Sequence, residues 1–136
     1  MNNIVVVDAD ALIALSLEKD PHHNKAAVIH RKLMQQEATI IFPVTVFPEA
    51  ITTLKRALNQ PEKAHLINKQ YQQGVFHVEY LTQEIMKRAS ELFDGAVSKK
   101  NTFFDCTVAA TADILKAEAI FSFDDWYSKL GFKLAV

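Results

Sequence analysis

The chain has 136 residues, 49% hydrophobic and 23% charged, with a net charge of −1; one domain of this length buries roughly two-thirds of its unfolded surface, and such a composition excludes a disordered protein. Cys106 is the only cysteine, which excludes an internal disulfide and a cysteine-built zinc cluster. The near-neutral charge excludes a broadly basic duplex-binding surface, leaving local patches such as Lys55-Arg56 and Lys99-Lys100 to hold a short single strand.

Ile4 to Val7 is a continuous β-branched run ending at an acid, the pattern of a strand buried on both faces of a parallel sheet. The apolar stretch Ile4 to Leu17 carries Asp8 and Asp10 at its centre and has no basic residue before it. It therefore fails as a leader or membrane span, and a cytoplasmic protein is expected. A short helix over Ala11 to Ser16 should follow. Asp20-Pro21 reads as a cap with proline at the first helical position, predicting a helix to about Gln36, and Thr39 to Phe42 as the second strand. Thr45 can cap a helix that tolerates Pro48 in its first turn, with apolar stripe Phe47, Ile51, Leu54 and Leu58 and opposite face Glu49, Thr52, Thr53 and Arg56. Pro61 opens a helix towards Tyr71, Val75 to Glu79 reads as a strand, and Ile85, Ala89, Leu92 and Ala96 mark a long helix after Thr82. Asn101 or Thr102 caps a helix with stripe Phe104, Val108, Ala112 and Leu115; strand Ala119 to Phe123 and a short strand around Phe132 to Leu134 complete the chain. With no linker or repeat, residues 1–136 read as one domain. Strands alternating with helices predict a three-layer α/β/α sandwich on a mainly parallel central sheet.

In such a sheet the C-terminal ends of strands and the starts of following helices share one edge, where ligands bind. Four acids fall there: Asp8 and Asp124 at strand ends, Glu49 and Asp105 in first helical turns. Each alone has an ordinary reading, since helix dipoles favour such acids and aspartate is common after strands. Together, with no adjacent Lys or Arg, they need a hard divalent cation, and carboxylates with water suit Mg²⁺ or Mn²⁺. The expected chemistry is phosphodiester hydrolysis.

The segments Val-Val-Asp8-Ala-Asp10-Ala-Leu, Phe-Pro-Glu49-Ala, Phe-Asp105-Cys-Thr-Val-Ala-Ala-Thr-Ala and Ile-Phe-Ser-Phe-Asp124 resemble, in order, the four acidic motifs of PIN domains. The size resembles the VapC-type toxins of toxin–antitoxin pairs. The resemblance implies Mg²⁺-dependent RNA cleavage at Asp8, Glu49, Asp105 and Asp124, a homodimer, and inhibition by a cognate antitoxin docked in an exposed apolar groove between the early helices. In one departure, Asp10 stands where that family usually has Ser, Thr or Asn. It either adds a ligand or caps the helix from Ala11, and capping is the reading the sequence favours. Asp125 either shares the fourth site or caps a short turn over Trp126 to Leu130, and Arg56 either meets RNA phosphate or is solvated. Thr107 and Thr111 should bond back to helix carbonyls, His22-His23 should be an exposed helix start, and Cys106 a small buried helix residue.

Two other functions fit parts of the pattern. Asp8-Ala9-Asp10 also resembles the nucleophile motif of haloacid-dehalogenase-type phosphatases, with Asp124-Asp125 like their late acidic pair. In that reading Asp8 is phosphorylated and Asp10 is the acid/base. It gives Glu49 and Asp105 no role, and Leu12 stands where Thr or Val is usual. The other is a non-catalytic PIN-like RNA-binding or scaffold module, although such modules typically lose site acids and all four stand here.

Overall fold

The computed structural model describes residues 2–136. Its centre is β1 (Ile4–Val7), whose alternate side chains serve opposite faces of the sheet. Val6 packs into one buried cluster, and Val5 and Val7 into another. β1 pairs in parallel with β2 (Thr39–Pro43), Val5 opposite Ile40, and with β4 (Ala119–Phe121), Val6 opposite Ile120. β3 (Val78–Glu79) adds to β2, giving a four-stranded all-parallel sheet in the order β3-β2-β1-β4.

Helix α1 (Ala9–Ser16) leaves β1 directly and feeds both clusters, Leu12 and Ile13 on one side, Ala11 and Ala14 on the other. On the Val5/Val7 face lies α2 (His23–Gln35), through Ala26, Ile29 and Leu33. The Val6 face is covered by α3 (Val46–Thr52), α4 (Pro61–Gln72) and α6 (Phe103–Leu115). Outside α6 packs α5 (Gln83–Gly95), through Ile85 and Ala89, and α7 (Trp126–Lys129) follows β4. This is the expected three-layer α/β/α arrangement. Among the described residues no helix is long and apolar enough to cross a membrane.

Several boundaries differ from expectation for physical reasons. α1 begins at Ala9 rather than Ala11, because the Asp8 carboxylate accepts from the Ala9 amide at 2.8 Å and caps the helix itself. Asp20-Pro21 forms a turn ahead of α2, with Asp20 accepting from the His22 amide at 2.8 Å, so the helix opens only at His23. Thr45 sits at the start of α3 but makes no side-chain cap bond. α3 runs into a π-helical turn, Thr53–Ala57, in which the Leu58 amide reaches back to the Thr53 carbonyl. The wider turn breaks the predicted stripe: Leu54 is 0% exposed, Leu58 41%. Phe104 is likewise 44% exposed, because α6 is enclosed from Cys106 to Ala112 between the sheet and α5 and its first turn projects beyond them. The strand around Phe132–Leu134 reduces to one parallel bridge, Ile120 with Leu134.

Candidate active site

All four predicted acids, and Asp10, come together at the C-terminal edge of the sheet. Asp8 is 5% exposed and its two oxygens are fully engaged. Oδ1 accepts from the Ala9 amide, and Oδ2 accepts from the Ser122 hydroxyl at 2.9 Å and the Tyr127 hydroxyl at 3.0 Å. The β1–β4 ladder runs up to it, the Asp8 amide donating to the Phe121 carbonyl. Burial first, then the fields of Asp10, Asp105 and Glu49, raise its pKa well above the usual carboxylate range.

Asp10 is not the helix cap. It lies in the first turn of α1, where its Oδ2 accepts from the Phe123 amide at 2.9 Å and lies 3.1 Å from the Ser122 hydroxyl. Burial raises its pKa, with a further contribution from Asp124. Ser122 is thus the hinge of the site: its one hydroxyl faces both Asp8 and Asp10 and accepts from the Asp124 amide at 3.0 Å. A hydroxyl has one proton to give, so it cannot satisfy both carboxylates at once.

Glu49 reaches the group from the first turn of α3, and burial followed by Asp105 and Asp10 raises its pKa to about 7. Asp105 lies at the third position of α6, where its Oδ2 accepts from the Thr102 amide at 2.9 Å, half of a capping box. Burial, and then Asp124, raise its pKa too. Asp124 accepts from the Trp126 amide through Oδ1 at 2.9 Å and from the Asn101 amide group through Oδ2 at 3.3 Å. α3 and α6 are tied by a short relay in which Thr45 lies 2.7 Å from Thr107, whose hydroxyl donates to the Phe104 carbonyl at 2.6 Å.

Among the described residues none of these five carboxylates has a Lys, Arg or His within ion-pair distance; the paired acids, Glu18, Glu91 and Asp113, lie elsewhere. Two of the cluster's oxygens, Asp10 Oδ1 and Glu49 Oε1, are buried without any hydrogen-bond partner. Buried carboxylate oxygens left unsatisfied are costly, and a hard cation is the partner their chemistry asks for. Among the described residues no three His, Cys, Asp or Glu side chains are arranged to hold a metal ion as they stand.

The family model for the PIN domain matches residues 5–133. The chain belongs to the PIN domain family. Among solved structures, this PIN domain is similar to VapC20 of Mycobacterium tuberculosis, a sarcin-ricin loop cleaving toxin (22% identity, TM-score 0.79, covering 94% of this chain and 95% of that one). It is similar also to VapBC-1 of nontypeable Haemophilus influenzae (13%, TM-score 0.65, 96% of each chain) and to VapBC2 of Rickettsia felis bound to a fragment of promoter DNA (11%, TM-score 0.67, 96% of each). At these identities the likeness is one of fold. Comparison with curated proteins returns no match.

Two accessory residues fall outside the PIN domain's acidic group. Asp125 is exposed, and it is its backbone carbonyl that receives the Ser128 and Lys129 amides at the start of α7. Arg56 is exposed on the π-helical turn, where it borders a shallow depression with Thr52 and Thr53. Ser122 and Tyr127 were not singled out by sequence reasoning. Ser122 stands inside the motif ending at Asp124, a signal that could have found it; Tyr127 carries none.

Proposed function

We propose that this PIN domain is a Mg²⁺-dependent endoribonuclease acting as the toxin of a toxin–antitoxin pair in the cytoplasm. The observation that carries the reading is a cluster of five carboxylates without a cation, Asp8 buried and the other four partly buried, two of whose oxygens are enclosed without any partner. Asp8, Glu49, Asp105 and Asp124 would hold the ion, Mg²⁺ or alternatively Mn²⁺, with Asp10 as a further donor. When bound, the ion supplies a hydroxide-like nucleophile and neutralises charge at phosphorus. Asp8 is preoriented by three donors, so ordering it costs little when a ligand arrives. Glu49 Oε1 is unpartnered, and burial with the neighbouring acids raises the pKa of its carboxyl to about 7 in the metal-free protein, so an incoming cation would displace that proton near neutrality.

A phosphatase with Asp8 as nucleophile would leave Glu49 and Asp105 without a role, although the fields of both act on Asp8. An antitoxin partner is supported by the neighbours solved as VapBC assemblies and by an apolar depression of about 550 Å³ between α1, α4 and the β2–β3 edge. Leu12, Leu15, Leu66 and Phe76 line it, with Leu66 49% exposed. Met86 and Phe93, exposed on α5, support self-association as a homodimer.

The test is incubation with RNA and Mg²⁺. Single-stranded and looped RNA, whose bases can be splayed out, should be cut while fully paired RNA is spared, and EDTA or Asp105→Asn should abolish cutting. Cleavage that survives EDTA, or none by the unmutated chain, would overturn the nuclease reading. Expression that neither slows growth nor is relieved by a neighbouring gene product would overturn the toxin reading alone.

A further inference from the structure

Beside the acids lies a second depression, of about 510 Å³, between the α5–α6 connection and α7. Val97, Lys100, Asn101, Asp124, Trp126 and Lys129 line it. It is continuous with the acidic cluster, because Asn101 donates to Asp124, one of the cluster's own carboxylates. Its other residues have a different character. Val97 is 100% exposed, Trp126 is half-buried with its ring tilted against Tyr127, and Lys100 and Lys129 have no acidic partner among the described residues.

Two lysines and an indole lining one depression, next to a cluster of acids, are the two kinds of group that can hold a single nucleotide. The indole packs against the core and Tyr127 and also lines the depression, where a base would stack on it, and the ammonium groups would receive phosphate. Asp124 and Asp125 line the same depression, so phosphate is favoured only on its lysine side, and the strand must thread between lysines and acids rather than spread over the surface.

We propose that this depression is the subsite for a nucleotide flanking the scissile phosphate of a single-stranded RNA, its base against Trp126 and its phosphate between Lys100 and Lys129. The inference rests on the nuclease reading and deepens it: the subsite sets where along the strand the acids cut. The phosphate held by the two lysines releases its condensed counterion on binding, and the stacked base makes binding tolerant of sequence.

Trp126 is the only tryptophan, so its emission reports this subsite directly. A short oligouridylate titrated into the Glu49→Gln variant with Mg²⁺ present should quench that emission. Lys100→Ala/Lys129→Ala in the same background should weaken binding and flatten the slope of log affinity against log salt by roughly 0.7, the value for one phosphate on a single strand. In the otherwise unmutated chain, the lysine pair should raise KM at least about fivefold with little change in kcat, and Trp126→Leu should do the same while Trp126→Phe keeps most of the binding. Binding without quenching, or a salt slope and KM unmoved by the lysine pair, overturns the subsite while cleavage itself leaves the nuclease reading standing. A lysine pair that keeps RNA affinity but loses a protein partner also overturns it, in favour of a protein-docking surface. An unmutated chain that neither binds nor cuts RNA overturns both readings.

Discussion

Glu49 shows how the acid cluster trades stability for chemistry. Its pKa is raised from 4.5 to about 7, so the folded state binds its proton more tightly than the unfolded chain does. The sign follows: the penalty is absent below about pH 4.5, grows through the interval to about 7, and is complete above it. That rise corresponds to at most about 3 kcal/mol, and solvent screening of a group this open reduces it to about 1 kcal/mol. Glu49→Gln in metal-free buffer should therefore raise the melting temperature by roughly 3 °C at pH 8 and leave it unchanged at pH 4. A gain equal at both values would locate the effect in packing instead. Tyr127→Phe works in the opposite direction, removing a buried hydroxyl that donates to Asp8, and should cost about 1–2 kcal/mol in denaturant titrations. The four motif acids were legible because each ends a strand or opens a helix. Asp10 was not, since the shift of the α1 start by two residues decides whether it caps or joins the cluster. Ser122 and Tyr127 act on Asp8 across sequence separations of 114 and 119 residues, which no local pattern encodes.

At the scale of elements, the spacing of Glu49 and Asp105 depends on how α3 lies against α6. Thr45 and Thr107 provide the polar tie between them, and Thr107 is buried. Thr107→Val keeps the volume but strands the Thr45 hydroxyl and frees the Phe104 carbonyl. It should destabilise by about 1–3 kcal/mol and lower Mg²⁺ affinity, which calorimetric titration of the metal would read. Unchanged metal affinity in a destabilised variant would make the tie purely structural. The order and type of the helices and strands were readable from periodicity and proline placement, and β1 from its unbroken Ile-Val-Val-Val run. What periodicity could not show was the π-helical turn after Thr52, because one extra residue in a turn changes no residue type, or the burial of α6 on both sides, which depends on α5. β3 is shorter than Val75–Glu79 because only Val78 and Glu79 find partners on β2.

For the molecule as a whole, the proposed metal site ties the cluster's mutual repulsion to stability: a cation that binds the acids should relieve the repulsion they exert without it. Mg²⁺ should stabilise the unmutated chain by about 2.7 kcal/mol at a hundredfold excess over Kd. Asp105→Asn keeps an acceptor for the Thr102 amide, so in metal-free buffer near neutral pH it should melt at or above the unmutated temperature, yet gain much less from Mg²⁺. Because burial and Asp124 raise the Asp105 pKa, the lost penalty is one that grows with pH, and the variant's stability should vary less across that range. If Asp105→Asn instead lowers metal-free stability by several kcal/mol, Asp105 serves the start of α6 and the shared site is wrong.

The placement of β1 between β2 and β4 has a consequence during synthesis. Asp8 and Asp10 are made more than a hundred residues before the groups that orient them, the Phe121 carbonyl, Ser122, the Phe123 amide and Tyr127. A nascent chain can fold its early helices as they emerge, yet it holds Asp8 and Asp10 unpositioned until translation has passed Tyr127. The acids therefore stay unassembled until β4 and the turn to Tyr127 have been made, and a polypeptide released before β4 lacks the groups that orient them.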